Sequence, residues 1–257
     1  MVTLAWLVAL AGCGRIGFGT VGSDGTSVDG SSTPTVYVLS NPSAQASELI
    51  TVNVATGAVT SIGTISQLGL LGGLAYWDSN TLYATSTTGN VVRITLSPFG
   101  ATVIQTFTGG ISELDSDGAR LIGVNDNDDT LVTFVPGGAM SATPIRDLSN
   151  MAVPGGGGDI ARMPDGSWVW WTQGVNQLFR LDVGTGRATP IGAADSAAPS
   201  FSGLVQLGGH LFLTDSSNSG VVEIDPLTGT RSAELPLCMP CPGTPYHLSA
   251  GDATRTP

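Results

Sequence analysis

The sequence predicts an all-β chain, a five-bladed β-propeller in which N- and C-terminal strands complete one blade. Three observations predict it. A turn of the form Asn/Asp-x-x-Thr-Gly, entered from one apolar strand and left into another, recurs along the chain. Its best copies are Leu49-Ile-Thr-Val-Asn53-Val-Ala-Thr-Gly57, Leu178-Phe-Arg-Leu-Asp182-Val-Gly-Thr-Gly186 and Val221-Val-Glu-Ile-Asp225-Pro-Leu-Thr-Gly229. Weaker copies end at Gly100 and Gly138, so the turn glycines are spaced by 43, 38, 48 and 43 residues, the period of a propeller blade. Lastly, no segment of the repeat region carries helical periodicity, and 36 glycines with 11% charged residues suit short strands and tight turns. In helix interiors each glycine would cost about 1 kcal/mol.

The turn motif forms a hairpin. An Asx side chain accepts a hydrogen bond from a backbone N–H two residues on, and the terminal glycine takes the positive φ that branched residues resist. Four short apolar segments surround each copy, as a four-stranded blade requires. In the first full unit these are Leu74 to Trp77, Leu82 to Thr85, Val91 to Leu96 and Ala101 to Phe107. The fourth unit reads Ile160 to Met163, Trp168 to Thr172, Gln177 to Val183 and Ala188 to Ile191. Asp117-Gly118 and Asp165-Gly166 mark tight turns between first and second strands. Val36 to Ser40 matches a second strand with no first strand before it, and Tyr246 to Ala250 matches the missing first strand. Blade one is therefore expected to close with strands from both chain ends, which removes exposed sheet edges.

The N-terminus has a different character. Val2 to Leu10 is almost wholly apolar and runs into Leu10-Ala11-Gly12-Cys13, which resembles the lipobox of a bacterial lipoprotein. That resemblance implies cleavage before Cys13 and a diacylglycerol on its thiol. The apolar run is too short to span a bilayer. No Lys or Arg precedes it, unlike an ordinary signal peptide, and a true start upstream of Met1 would account for this. Residues 14–34, rich in Gly, Ser, Thr and Asp, have too little apolar surface to pack and suit a flexible tether. The expected organisation is a signal peptide over 1–12, a lipidated cysteine with its tether over 13–34, and a propeller over 35–257. The expected address is the bacterial cell envelope.

The formal net charge is −11, with nine arginines and no lysine. Phosphate backbones would be repelled, so nucleic acid is excluded as a partner. Cys238-Met-Pro-Cys241 sits between the last turn and the closing segment, where an oxidising envelope favours a disulfide. A redox pair would need βαβ surroundings and a zinc site a second cysteine pair, and the sequence offers neither.

Chemistry belongs where the innermost strands converge. Aligning the five first strands on Leu74, Leu114, Ile160, Leu204 and Leu248 puts Gly73, Glu113, Asp159, Gly203 and His247 at one equivalent position. Two carboxylates and an imidazole on one ring form a set that binds a divalent metal or performs acid–base work. Glu113, Asp159 and His247 are thus the candidates for catalysis or metal binding, set against a solvated channel mouth that merely tolerates polar residues. No other cofactor is expected.

Asn125-Asp-Asn-Asp-Asp129 lacks the glycine and distal glutamate of an EF-hand and is expected to be a solvated hairpin loop. Trp168-Val-Trp-Trp171 offers an aromatic platform for sugars or peptides, but in a strand Trp168 and Trp170 share one face and Trp171 the other. Both faces are buried by neighbouring blades, so core packing is expected. Gly155 to Gly158 suits a loop where backbones approach closely before an inner strand.

Leu178-Phe-Arg-Leu-Asp182 with Thr185-Gly186, and Val221-Val-Glu-Ile-Asp225-Pro with Thr228-Gly229, resemble the repeats of bacterial NHL/YVTN-type propellers over residues 36–251. Such repeats specify blades and no activity. The expectation for the whole chain is a monomeric, membrane-anchored binding or scaffolding module for a protein or glycan partner. The alternative is a propeller enzyme, a metal-dependent lyase or lactonase or a glycosidase, working at the channel mouth.

Overall fold

Alternating apolar residues build every blade, because a strand buries one set of side chains against each neighbour. In the computed structural model, the described residues are 34–43, 46–86, 88–196, 200–239, 244–245 and 253–255. They form an all-β, five-bladed propeller with no helix. In chain order, β1 (Thr35–Ser43), β2 (Ala46–Asn53) and β3 (Val59–Ser66) belong to blade one. Blade two holds β4 (Leu71–Asp78), β5 (Thr81–Ser86), β6 (Asn90–Leu96) and β7 (Phe99–Thr106). Blade three holds β8 (Glu113–Ser116), β9 (Leu121–Asn125), β10 (Thr130–Phe134) and β11 (Met140–Pro144). Next come β12 (Gly158–Arg162), β13 (Trp168–Thr172), β14 (Gln177–Asp182) and β15 (Arg187–Ile191) in blade four. Blade five contains β16 (Phe201–Leu207), β17 (His210–Asp215), β18 (Gly220–Ile224) and β19 (Leu235–Pro236). A two-stranded hairpin of β20 (Cys238–Met239) and β21 (Thr244–Pro245) follows, and β22 (Ala253–Arg255) runs antiparallel to β1.

The ring closes as expected, but with a different segment. The strand that completes blade one is β22, with Val36 opposite Arg255 and Val38 opposite Ala253. Residues 246–250, which carry the apolar pattern of a first strand, lie outside the described residues, as do Cys13 and the whole of 1–33. Pairing depends on backbone groups presented to β1, and apolar resemblance alone does not select it. A second tie runs from the segment after blade five to blade one: Cys238 N donates to Gly57 O at 2.9 Å.

Three copies of the turn motif share one hydrogen-bond pattern. The amide of Gly57 donates to Asn53 O, Gly186 to Asp182 O and Gly229 to Asp225 O, each at 2.8 Å. The Asx side chain caps the turn in each, as Asn53 Oδ1 does for Ala55 N at 2.9 Å, Asp182 Oδ1 for Gly184 N at 2.9 Å and Asp225 Oδ1 for Leu227 N at 2.7 Å. The glycines take φ of +73°, +71° and +69°. They also abut the last strand of the preceding blade. A β-carbon on Gly186 would lie 2.3 Å from Pro144 O, and one on Gly57 would lie 2.2 Å from Pro236 O. The motif therefore turns the chain and lets blades dock. Its weaker copies differ, since Gly100 falls within β7 and blade three turns on Gly137 at φ +79°.

Strand alternation deals the core out to the blade interfaces. Trp168 and Trp170 pack with Ile122, Val124 and Leu131 between blades three and four. Val169 and Trp171 face the other way, with Phe201, Leu204 and Leu213 between blades four and five. Equivalent clusters lie between blades five and one, one and two, and two and three. Trp170 and Trp171 are at most 2% exposed, so the aromatic run is core, as its strand periodicity predicts. Burying each large apolar side chain is worth about 2–3 kcal/mol. Trp171 and Phe201 meet edge-on across the blade boundary with centroids 5.4 Å apart.

Candidate functional site at the junction of blades three and four

The inner strands place Glu113 and Asp159 equivalently, because Leu114 pairs with Gly123 in blade three as Ile160 pairs with Trp170 in blade four. The register of blade one assigns the matching position differently from the sequence alignment. Val38, opposite Ile50 as Trp170 is opposite Phe179, pairs with Ala253. Ala253 therefore takes the slot expected for Leu248. His247 itself lies outside the described residues. Gly73 is not an open place in the ring, since a β-carbon there would lie 2.6 Å from Leu114 Cβ. This glycine lets inner strands β4 and β8 approach.

Asp159 is wholly buried and its oxygens are engaged by backbone. Oδ1 accepts from Ile160 N at 2.7 Å, and Oδ2 accepts from Leu204 N of the next blade at 2.6 Å. Asp115 repeats the device one blade earlier, accepting from Ser116 N at 2.7 Å and from Arg162 N at 2.9 Å. Each aspartate thus joins its own inner strand to the next. These are charge-assisted bonds in a low-dielectric setting, the stronger class of hydrogen bond.

Glu113 is also wholly buried, and it faces carboxylates. Its neighbours are Asp126 from the β9–β10 loop, Asp159 and the Trp170 indole. Glu113 Oε1 and Oε2, Asp126 Oδ1 and Trp170 Nε1 are buried beside one another without a hydrogen bond of ordinary geometry. A proton resolves the conflict. Burial first, then the charges of Asp126 and Asp159, push Glu113 well above the usual glutamate range, and the indole N–H only partly opposes this. The raised value favours protonated Glu113, whose O–H is directed at the neighbouring Asp126 carboxylate as in close carboxyl pairs. Burial raises Asp126 as well, against hydrogen bonds from Ser112, Glu113 and Gly157 that lower it.

Asp126 is the member of this group that the sequence reading missed. The Asn125–Asp129 loop joins β9 to β10 as expected, but it is not merely solvated. Asp126 Oδ2 accepts from Ser112 Oγ and, at 2.9 Å, from Gly157 N, while Asp129 Oδ1 accepts from Gly155 N at 2.8 Å. Two aspartates of blade three therefore hold the entry to blade four. The glycine run permits this, since a β-carbon on Gly155 would lie 2.4 Å from Asp126 Oδ1. The signal was present in the sequence as an acidic run in one blade and a glycine run before the next, but spacing alone does not show that they meet.

A carboxyl that keeps its proton beside a carboxylate is the arrangement of a general acid. Glu113 has no exposed surface, so in this conformation it is closed to a substrate. Among the described residues no group of three or more His, Cys, Asp or Glu is placed to hold a metal ion. Cys238 is half-buried at the blade five–blade one seam, and Cys241 lies outside the described residues.

No protein-family model and no curated protein matches the sequence. Solved structures do match the fold. A glutaminyl cyclase from Myxococcus xanthus aligns with TM-score 0.52 at 17% identity over 65% of this chain and 76% of its own. A chain of the nidogen/laminin complex aligns with TM-score 0.52 at 12% identity over 86% of this chain and 97% of its own. A catalytically inactive virginiamycin B lyase from Staphylococcus aureus gives TM-score 0.48 at 12% identity over 76% and 70%. At such identities the first two show a shared propeller architecture and nothing of activity.

Proposed function

We propose that the chain is a bacterial cell-envelope lipoprotein whose propeller, of NHL/YVTN-like repeats, is a binding or scaffolding module for a protein or glycan partner. One observation carries the binding role. At the end where the inner strands begin, Asp126 and Asp129 fix the β9–β10 loop to the entry of blade four, while Asp159 is spent on strand backbone and Glu113 is wholly buried. A preorganised, loop-built face loses little entropy on binding. The enzyme alternative, with a divalent metal or acid–base set at Glu113, Asp159 and His247, draws support only from the protonated Glu113. The fold does not choose between them, since a cyclase and a chain of the nidogen/laminin complex both share it.

The anchor rests on the lipobox-like Leu10-Ala11-Gly12-Cys13 and the tether that follows. Cys13→Ser is expected to move the protein from the detergent phase to the aqueous phase on phase partition, and unchanged partition counts against lipidation. A Cys238–Cys241 disulfide fits that compartment and would fasten the segment whose Cys238 amide already binds Gly57 O. Intact mass before and after reduction and thiol alkylation tests it. For the binding face, a photo-crosslinking amino acid at exposed Asn127 or Asp128 is expected to yield discrete adducts in intact cells. The same group at exposed Asp165, in a turn at the far end of the blade, is expected to yield none. Equal labelling from both ends, or none from either, contradicts the proposal.

A further inference from the structure

At the opposite end of the same two blades, the turn between β8 and β9, the turn between β12 and β13 and the end of β14 enclose a recess of about 370 Å³. That volume lies in the range of small-molecule sites, roughly 300–1,000 Å³. Arg162, Arg120, Asp117 and Asp182 bring charge to its lining, half-buried Val183 brings apolar surface, and Trp168 and Leu181 lie behind it, buried in the core. Three of these charges are already committed. Arg120 Nε pairs with Asp117 Oδ2 at 2.9 Å, and Asp117 Oδ1 also accepts from Ala119 N and Arg120 N. Asp182 is held by Gly184 N at 2.9 Å and Thr185 Oγ1 at 2.7 Å, within its own turn.

Arg162 differs from the other three. Only its backbone amide is bonded, to Asp115, while its guanidinium has no hydrogen-bond or ion-pair partner among the described residues and its Nε is buried. In a chain of net charge −11, a guanidinium left unpaired in a recess lacks an acceptor that the protein could readily supply. We propose that this recess is a binding site for a small organic carboxylate, which pairs with the Arg162 guanidinium and lays its apolar body along half-buried Val183. A planar carboxylate matches the guanidinium fork in two parallel hydrogen bonds. Two fixed aspartates nearby disfavour a doubly charged phosphate more than a single carboxylate. A ligand without negative charge leaves Arg162 as it is.

The test uses 3-phenylpropionate as probe and its neutral amide as control, read by tryptophan fluorescence and calorimetry on the full chain. Saturable binding of the acid is expected at about 1 mM, as suits a ligand of this size in an open recess. The amide should bind about tenfold or more weaker, in line with loss of a charge-assisted pair. Arg162→Gln is expected to erase the preference for acid over amide while keeping the fold, because the bond to Asp115 comes from the backbone. Val183→Trp, which puts a bulky ring into the lining of the recess, should abolish binding of both. Arg93→Gln, in β6 of blade two, should change nothing. Equal binding of acid and amide by the wild-type chain, no saturation by the acid, or an acid preference that survives Arg162→Gln overturns the proposal.

Discussion

Glu113 and Asp159 occupy equivalent places yet do different work, and one methylene separates them. The shorter Asp159 reaches the backbone of Leu204 in the next blade, whereas Glu113 turns to Asp126 and keeps a proton. Glu113 is raised above its ordinary value of 4.5, so the folded chain binds more protons than the unfolded one above that pH. Its contribution to stability is full below the ordinary glutamate value and is lost as pH rises through the raised one. Glu113→Gln is expected to match the wild type in acid and to melt higher than it in alkali, because the amide still donates to Asp126 and cannot ionise. Parallel melting curves of the two proteins across that range would contradict a raised Glu113. Asp159→Ala leaves the Leu204 amide buried without its acceptor and should cost about 2–3 kcal/mol in chemical denaturation. Alignment of apolar strands brought Glu113 and Asp159 to one position from sequence alone. It could not supply Asp126, whose contact with Glu113 depends on how a loop folds back, or the true occupant of the fifth place, which depends on pairing with β1.

Among elements, the Asx-x-x-Thr-Gly turn was the most legible, and its failures follow from chemistry. Asn53, Asp182 and Asp225 each cap their turn, but the stretches Ser97-Pro98-Phe99-Gly100 and Val135-Pro136-Gly137-Gly138 carry no Asx at that place. Those turns are built otherwise, and the glycine of positive φ shifts or disappears. The turn glycine has two tasks, a left-handed conformation and room for the preceding blade. Gly186→Ala meets both a φ of +71° and a contact of 2.3 Å with Pro144 O. The substitution is expected to destabilise the chain by about 2–4 kcal/mol in urea denaturation. Gly118→Ala is a useful comparison, since at φ +84° it has nothing within 4 Å of the added carbon. It should cost only the conformational part, about 1 kcal/mol. Equal losses at the two sites would show that the turn glycine has no role in blade docking.

In the whole molecule, the ring holds the site in place. The aspartate braces pass from blade three to four and from four to five, and the acidic loop of blade three fixes the entry to blade four. Such a chain of contacts stays taut only if the last blade is tied back to the first. That tie consists of β22 against β1 and the Cys238 amide on Gly57 O. Five blades were legible because each interface needs its own apolar cluster, and strand alternation writes that requirement into every repeat. The exact closing segment was not, because a three-residue strand carries too little pattern to be told from its flanks. The most direct measurement is thermal unfolding of the chain with residues 252–257 deleted, followed by far-ultraviolet circular dichroism and by tryptophan fluorescence. A closed ring predicts that the whole domain melts earlier, with blade four's tryptophans losing protection together with the β signal. An unchanged melting temperature, or loss of blade one alone while the tryptophans hold, would contradict closure.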